Sequence, residues 1–259
     1  MTETIYVERE QAIASVVFNR PVKLNALDLP EWRRLGELMR ELDADETLRC
    51  VVLRGVDERA FSAGADIAGF ESNRRTPKQV REYGGVLGAS LAAVSGCRHP
   101  VIAAINGVCV GGGLEIASAC DLRVCGASSR FGAPINRLGL TMSYSELQTL
   151  IGIVGPAGLL EMLLVGEVFG PERAYELGFV HRVLPDELWL EESLSLARRI
   201  AERAPLVNRW HKKFVRRLLD PAPLTESERD EAYAAFATQD YEIGYRAFLG
   251  KTKPDFKGR

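Results

Sequence analysis

Three short apolar runs that do not alternate with polar residues constrain this chain most: Cys50 to Leu53, Val101 to Ile105 and Leu122 to Cys125. A strand with one wet face alternates apolar and polar side chains, whereas a strand covered on both faces reads as a continuous apolar run. Helix-period stretches lie between these runs. Asp28 is placed to cap a helix with Pro30 and Glu31 in its first turn, after which Trp32, Leu35, Leu38, Met39 and Leu42 recur at helical spacing. A second helix is predicted from about Pro77 to Ser95, with Val80, Tyr83, Leu87, Leu91 and Val94 along one stripe, and a short one over Gly113 to Ala119. Upstream, Ile5-Tyr6-Val7 and Ala12 to Phe18 flank the charged turn Glu8-Arg9-Glu10, a hairpin pattern. The small residues of Ala60 to Ile67 predict a loop. Strands alternating with helices give an α/β protein whose sheet is covered on both faces.

From Ser145 the pattern is mainly helical, over segments near 145–154, 156–165, 171–177, 186–203, 205–219, 224–237 and 240–248, with Val180 to Leu184 as the strand among them. A soft boundary near residue 190 divides a core of 1–190 from a helical region of 191–259. The whole chain has 259 residues, 46% of them hydrophobic and 26% charged, as in an ordinary globular protein. Its 33 basic and 35 acidic side chains leave a net charge of -2, so no global field favours nucleic acid or an anionic membrane. The start, Met1-Thr2-Glu3-Thr4, does not read as a signal peptide, and no apolar run approaches the ~20 residues of a membrane helix. Five cysteines, an odd number without C-x-x-C spacing, sit in apolar stretches, which suits reduced thiols in a cytoplasmic protein. Three scattered histidines argue against a metal site.

Several motifs fail. Gly250-Lys251-Thr252 resembles the end of a phosphate-binding loop, but Tyr245 stands where its first glycine belongs and Pro254 blocks the following helix. Gly111-Gly112-Gly113 is not a dinucleotide fingerprint, and no G-x-S-x-G elbow exists. The basic stretch Arg209 to Arg217, with Trp210, Phe214 and Leu218 at helical spacing, could attract phosphates but reads rather as a solvated helix face. Two segments hold. Phe61-Ser62-Ala63-Gly64-Ala65-Asp66-Ile67 and Ile105 to Glu115 each place small residues where the backbone must turn and come close to something. A helix starting at Gly113 leaves its first amides unpaired, so one amide from each loop could together hold an oxyanion. Tight strand-to-helix packing is the competing explanation of the same glycines.

These two segments, at their mutual spacing, resemble the crotonase (enoyl-CoA hydratase/isomerase) family. So do Asn19 to Leu27, which looks like its N-R-P-x-x-x-N-A-L signature, Ala119 to Val124 after the glycine helix, and the tail Tyr245 to Phe256. The resemblance implies a crotonase-like ββα spiral with a helical C-terminal trimerisation region, assembled as a homotrimer or homohexamer. It implies an acyl-CoA thioester substrate, whose enolate is stabilised without a metal or a separate cofactor, coenzyme A being part of the substrate. It assigns the oxyanion donors to the amides of Ala63 and Gly112 and the catalytic carboxylate to Glu115. Lys23, Leu24 and Ala26, the loop Ala63, Gly64, Ala65, Asp66 and Ile67, and Lys253 and Phe256 of the tail would line the coenzyme; Lys251 would join Lys253 near its phosphates. Asp66 is expected to cap the helix after its loop rather than act in chemistry.

One departure bears on the reaction. The family's second hydratase glutamate should follow Pro134, where this chain has Ile135, and an isoleucine cannot transfer a proton. In the turn where some relatives carry an aspartate stands Ser143, next to Tyr144, so Ile135, Ser143 and Tyr144 are candidate pocket residues. Simple hydration is therefore open to question. Isomerisation, decarboxylation and acyl-CoA binding without chemistry stand as alternatives.

Overall fold

The computed structural model describes residues 3–259; Met1 and Thr2 of the acidic start lie outside them. β1 (Ile5–Glu10) and β2 (Ile13–Phe18) form the expected antiparallel hairpin. Asp28 and Glu31 close a capping box at the start of α1 (Leu29–Ala44). β3 (Cys50–Gly55), β5 (Val101–Ile105), β7 (Leu122–Gly126) and β9 (Arg182–Leu184) then add in parallel, giving a six-stranded sheet of order β1-β2-β3-β5-β7-β9. Both faces are covered, as the unbroken apolar runs require. Val16, Val51, Leu53, Val101 and Ala103 belong to one core cluster, while Ile13, Cys50, Val52, Ile102 and Ala104 pack on the other face against Trp189 and Ala197.

The sequence reading missed a second sheet. β4 (Ala60–Ser62), β6 (Val108–Val110) and β8 (Arg130–Gly132) pair in parallel as three strands of three residues each, too short to show a period. β4 thus occupies the front of the stretch expected to be loop. Each follows directly on a strand of the large sheet, and each pair runs on to a helix. After β4 come α2 (Phe70–Asn73) and α3 (Pro77–Gly96), after β6 comes α4 (Gly112–Ala119), and after β8 comes α5 (Tyr144–Val165). The repeat is strand, strand, helix, wound into a spiral.

α5 joins the two predicted segments 145–154 and 156–165 across a kink, where Gly155 has φ +69° and Pro156 follows. By length and composition it could cross a membrane, although only 22% of its apolar window is buried. No unbroken apolar run marks it in the sequence, because Glu146, Gly155-Pro156 and Glu161 interrupt it. The remaining helices are α6 (Pro171–Glu176), α7 (Trp189–Ala201), α8 (Pro205–Arg217), α9 (Glu226–Glu231) and α10 (Gln239–Gly250). α8 is held to the end of the large sheet by Asp121, which pairs with Lys212 at 2.7 Å and Arg216 at 2.9 Å and accepts the Val101 amide at 2.7 Å. All five cysteines are buried and unpaired.

Candidate active site

The segment Arg20 to Leu27 is a strap across the loop after β4. Its two residues with positive φ, Leu24 (+50°) and Asn25 (+55°), bend it sharply. The buried Asn25 side chain holds the bend, accepting the Arg20 amide at 2.8 Å and donating to the Ala60 carbonyl at 2.7 Å. The strap and the loop are then stitched together by backbone. Ala63 N–H donates to Leu24 O at 2.8 Å, Leu27 N–H to Gly64 O at 2.7 Å, and Asp66 N–H to Leu27 O at 2.8 Å.

These bonds correct one assignment. Ala63 cannot be an oxyanion donor, because its N–H is already committed to Leu24. Gly64, at φ +85°, turns the chain just afterwards, and the next amide, that of Ala65, has no acceptor among the described residues. Across from it, α4 begins at Gly112, whose N–H precedes the helical ladder and likewise has no acceptor among the described residues. The two loops touch through main chain: a Cβ on Gly64 would fall 2.6 Å from the Gly112 nitrogen. Beneath Gly112 lies the Trp32 ring, which a Cβ there would meet at 2.9 Å, and Trp32 Nε1 donates to Tyr83 Oη at 2.9 Å.

Ala65 and Gly112 face a cleft of about 530 Å³ whose wall is mostly apolar, including Leu87, Leu140, Met142 and Ile135. Glu115, in the first turn of α4, lines it at 6% exposure. Burial, first, and then the neighbouring Glu146 push its carboxyl from 4.5 up to about 8, and its Oε2 has no partner among the described residues. Glu146 is a site residue that the sequence reading did not find. Ser143-Tyr144-Ser145-Glu146 is a capping-box spacing, and Glu146 does accept the Ser143 amide as a capping glutamate should. Its carboxyl is nevertheless also a neighbour of Glu115, whose pKa it raises. The two glutamates line both this cleft and a smaller cavity of about 160 Å³ behind it. Arg74 is the second residue missed. It lies in the 68–80 segment, which has no periodicity to mark it, and it lines the cleft with its guanidinium 3.7 Å from the Tyr83 ring centre and 4.3 Å from that of Phe70.

The other expected residues divide. Ile135 and Ile67 line the cleft. Ser143 and Tyr144 do not: Ser143 serves as the N-cap of α5, and Tyr144 points outward at 92% exposure. Asp66 caps the turn Ile67–Gly69 as expected and is paired with Lys23 at 2.6 Å and Arg20 at 3.2 Å; the Lys23 hydrogen bond leads the interactions that lower its pKa. Lys23, Leu24 and Ala26 therefore border the site through the strap rather than line the cleft. The tail lies elsewhere within the chain. Lys253 pairs with Glu202 at 2.6 Å, and the Phe256 carbonyl accepts from Arg49 at 2.5 Å, in a separate cleft of about 300 Å³.

Comparison with known proteins agrees with this architecture over its full length. The family model described as enoyl-CoA hydratase/isomerase matches residues 8–259. A crotonyl-CoA hydratase of Syntrophomonas wolfei is 32% identical over 256 residues, 98% of each chain, and a 2,3-dehydroadipyl-CoA hydratase of Escherichia coli is 35% identical over 264 residues, 100% of each. The crystal structure of an enoyl-CoA hydratase/carnithine racemase from Magnetospirillum magneticum superposes with a TM-score of 0.98 at 44% identity, covering 100% of this chain and 97% of the other. A strand-strand-helix spiral, a glycine-led α4 and a match of this extent together mean that the chain belongs to the enoyl-CoA hydratase/isomerase family.

Proposed function

We propose that the protein hydrates a 2-enoyl-CoA thioester, with the amides of Ala65 and Gly112 polarising the thioester carbonyl and Glu115 and Glu146 moving the protons. The observation that carries this reading is the convergence of two acceptor-free amides and two close carboxyls on one apolar cleft. In hydration a water oxygen bonds to the β-carbon and loses a proton, while the α-carbon gains one. The negative charge rests meanwhile on the thioester oxygen. Two fixed amides aimed at that oxygen match where charge develops, and each such donor is worth roughly 2.7–4 kcal/mol of transition-state stabilisation.

Addition of water needs one carboxylate to accept a proton and one carboxyl to give one. Burial and the neighbouring Glu146 raise the Glu115 pKa to about 8, which keeps that carboxyl protonated at neutral pH. Glu115, held protonated by burial, serves as the acid and Glu146 as the base. Ile135 then contributes apolar wall, and the missing second glutamate is replaced from the first turn of α5. The names of the relatives support hydration over isomerisation, decarboxylation and binding without chemistry.

Copies of the chain associate, on this reading, through the exposed apolar side chains of α5 and α10, and the buried, unpaired thiols suit the cytoplasm. The test is turnover of crotonyl-CoA by the purified protein, followed by loss of the conjugated enoyl absorbance. A hydroxyacyl-CoA product is expected. Tight binding without turnover would leave an acyl-CoA-binding protein, and double-bond migration without water uptake would leave an isomerase.

A further inference from the structure

The acyl cleft contains a cation that the hydration chemistry does not use. Among the described residues lining the cleft, Arg74 is the only lysine or arginine, set in a wall that is otherwise largely apolar. Its guanidinium is sandwiched between Phe70 and Tyr83, at 4.3 Å and 3.7 Å from the ring centres. Stacking of this kind fixes the plane of the group and leaves its edge free to donate. Its Nε is buried with no hydrogen-bond partner among the described residues. An unpartnered buried donor is costly, so an acceptor delivered with the substrate would recover that loss. Arg74 lines the same cleft as Glu115, whose charged form it favours.

From this setting we infer that the preferred substrate carries a carboxylate at the far end of a short acyl chain, received by Arg74. A plain alkyl terminus would offer no acceptor to the unpartnered Nε. A carboxylate terminus entering beside Glu115 and Glu146 would be repelled if no cation stood there. Arg74 answers both requirements, since its planar fork matches a carboxylate in a bidentate pair. The inference rests on the acyl-CoA reading above and adds the class of acyl group.

The experiment compares a matched pair, trans-2-pentenoyl-CoA and its ω-carboxylate analogue trans-2-pentenedioyl-CoA, in the wild type, Arg74→Met and Arg74→Lys. The wild type should favour the dicarboxylic substrate in kcat/KM by 10-fold or more. Arg74→Met should collapse that preference, lowering the ratio of the two kcat/KM values by about 10–100-fold whatever the change in turnover common to both substrates, and Arg74→Lys should restore the ratio in part, as expected for a charged hydrogen bond. Calorimetric titration with the saturated pair, pentanoyl-CoA and pentanedioyl-CoA, reads the same preference without turnover. If the wild type turns over neither enoyl substrate but still binds pentanedioyl-CoA more tightly through Arg74, the hydratase reading fails and this inference stands. Equal losses on both members of the pair in Arg74→Met, as a contact to the coenzyme or to Glu115 would give, overturn the inference. So does a wild-type preference for the pentenoyl substrate.

Discussion

Glu146→Gln probes the carboxyl pair with little change in shape. Glutamine retains an oxygen to accept the Ser143 amide, so the capping box at the start of α5 survives. What disappears is a charge beside Glu115, whose pKa stands at about 8 against an ordinary 4.5. That gap corresponds to about 5 kcal/mol. The helix N-terminus at α4 opposes it with only ~0.3–1 kcal/mol, up to ~2 kcal/mol in buried settings, so burial and the neighbouring carboxyl win. Burial is the largest cause and remains in the variant, so Glu115 should titrate between 4.5 and 8 once Glu146 is neutral.

Initial rates of crotonyl-CoA hydration across pH provide the assay. Wild-type activity should fall as pH rises through about 8, where Glu115 loses its proton. In Glu146→Gln this alkaline limb should move to lower pH, and kcat should drop by about 10²–10⁴-fold for loss of the base. Stability carries the same signature. Because the folded-state pKa of Glu115 is raised, its contribution is complete below pH 4.5 and is lost as pH rises toward 8, at up to about 1.36 kcal/mol per pH unit. Urea unfolding of the variant should show a shallower decline over that window. An unchanged alkaline limb together with an unchanged kcat in Glu146→Gln would refute the pairing of the two glutamates.

Three further outcomes are expected. Gly64→Ala forces a side chain into a backbone at φ +85° and sets its Cβ 2.6 Å from the Gly112 nitrogen, so kcat should fall by about 10²–10³-fold, as on loss of one oxyanion donor; a folded variant with full activity would contradict this. Asp121→Ala takes the counter-charge from Lys212, whose side chain is only 9% exposed and keeps just the His99 carbonyl, and should cost about 3 kcal/mol, read as a lower urea midpoint at constant slope. Light scattering should report a trimer or hexamer, since Leu164 of α5 and Phe248 of α10 stand 73% and 84% exposed; a monomer at micromolar concentration would count against the interface.

Much of the fold was legible because burial on both faces writes itself into the sequence. Val101 to Ile105 has no polar position, and the structure places cover on each side of it. The small sheet was not legible, since strands of three residues carry no period to read. At the site, the paired glycine loops were recognisable, as was Glu115. That the free amide of the first loop is Ala65 and not Ala63 was not legible, because the direction of an amide depends on a φ reversal at Gly64 and on a strap distant in sequence. Glu146 was hidden by its own local role. A capping glutamate explains itself within four residues, and nothing in that spacing reveals a carboxyl neighbour that lies 31 positions earlier in the chain. Arg74 was invisible for the opposite reason, lying in a stretch with no local pattern.

The main-chain contact between Gly64 and Gly112 determines how mutational surveys of this protein should be interpreted. The spacing of the two acceptor-free amides is fixed where one backbone rests on another, and neither Ala65 nor Gly112 has a side chain beyond a methyl group to remove. Truncating side chains across the cleft would test Glu115, Glu146 and Arg74 but leave both amides in place, while Gly112→Ala would add a Cβ 2.9 Å from the Trp32 ring rather than remove the amide. Replacement of the amide itself by an ester linkage, at Ala65 or at Gly112, would expose its role. So would any substitution that adds bulk where the two chains touch.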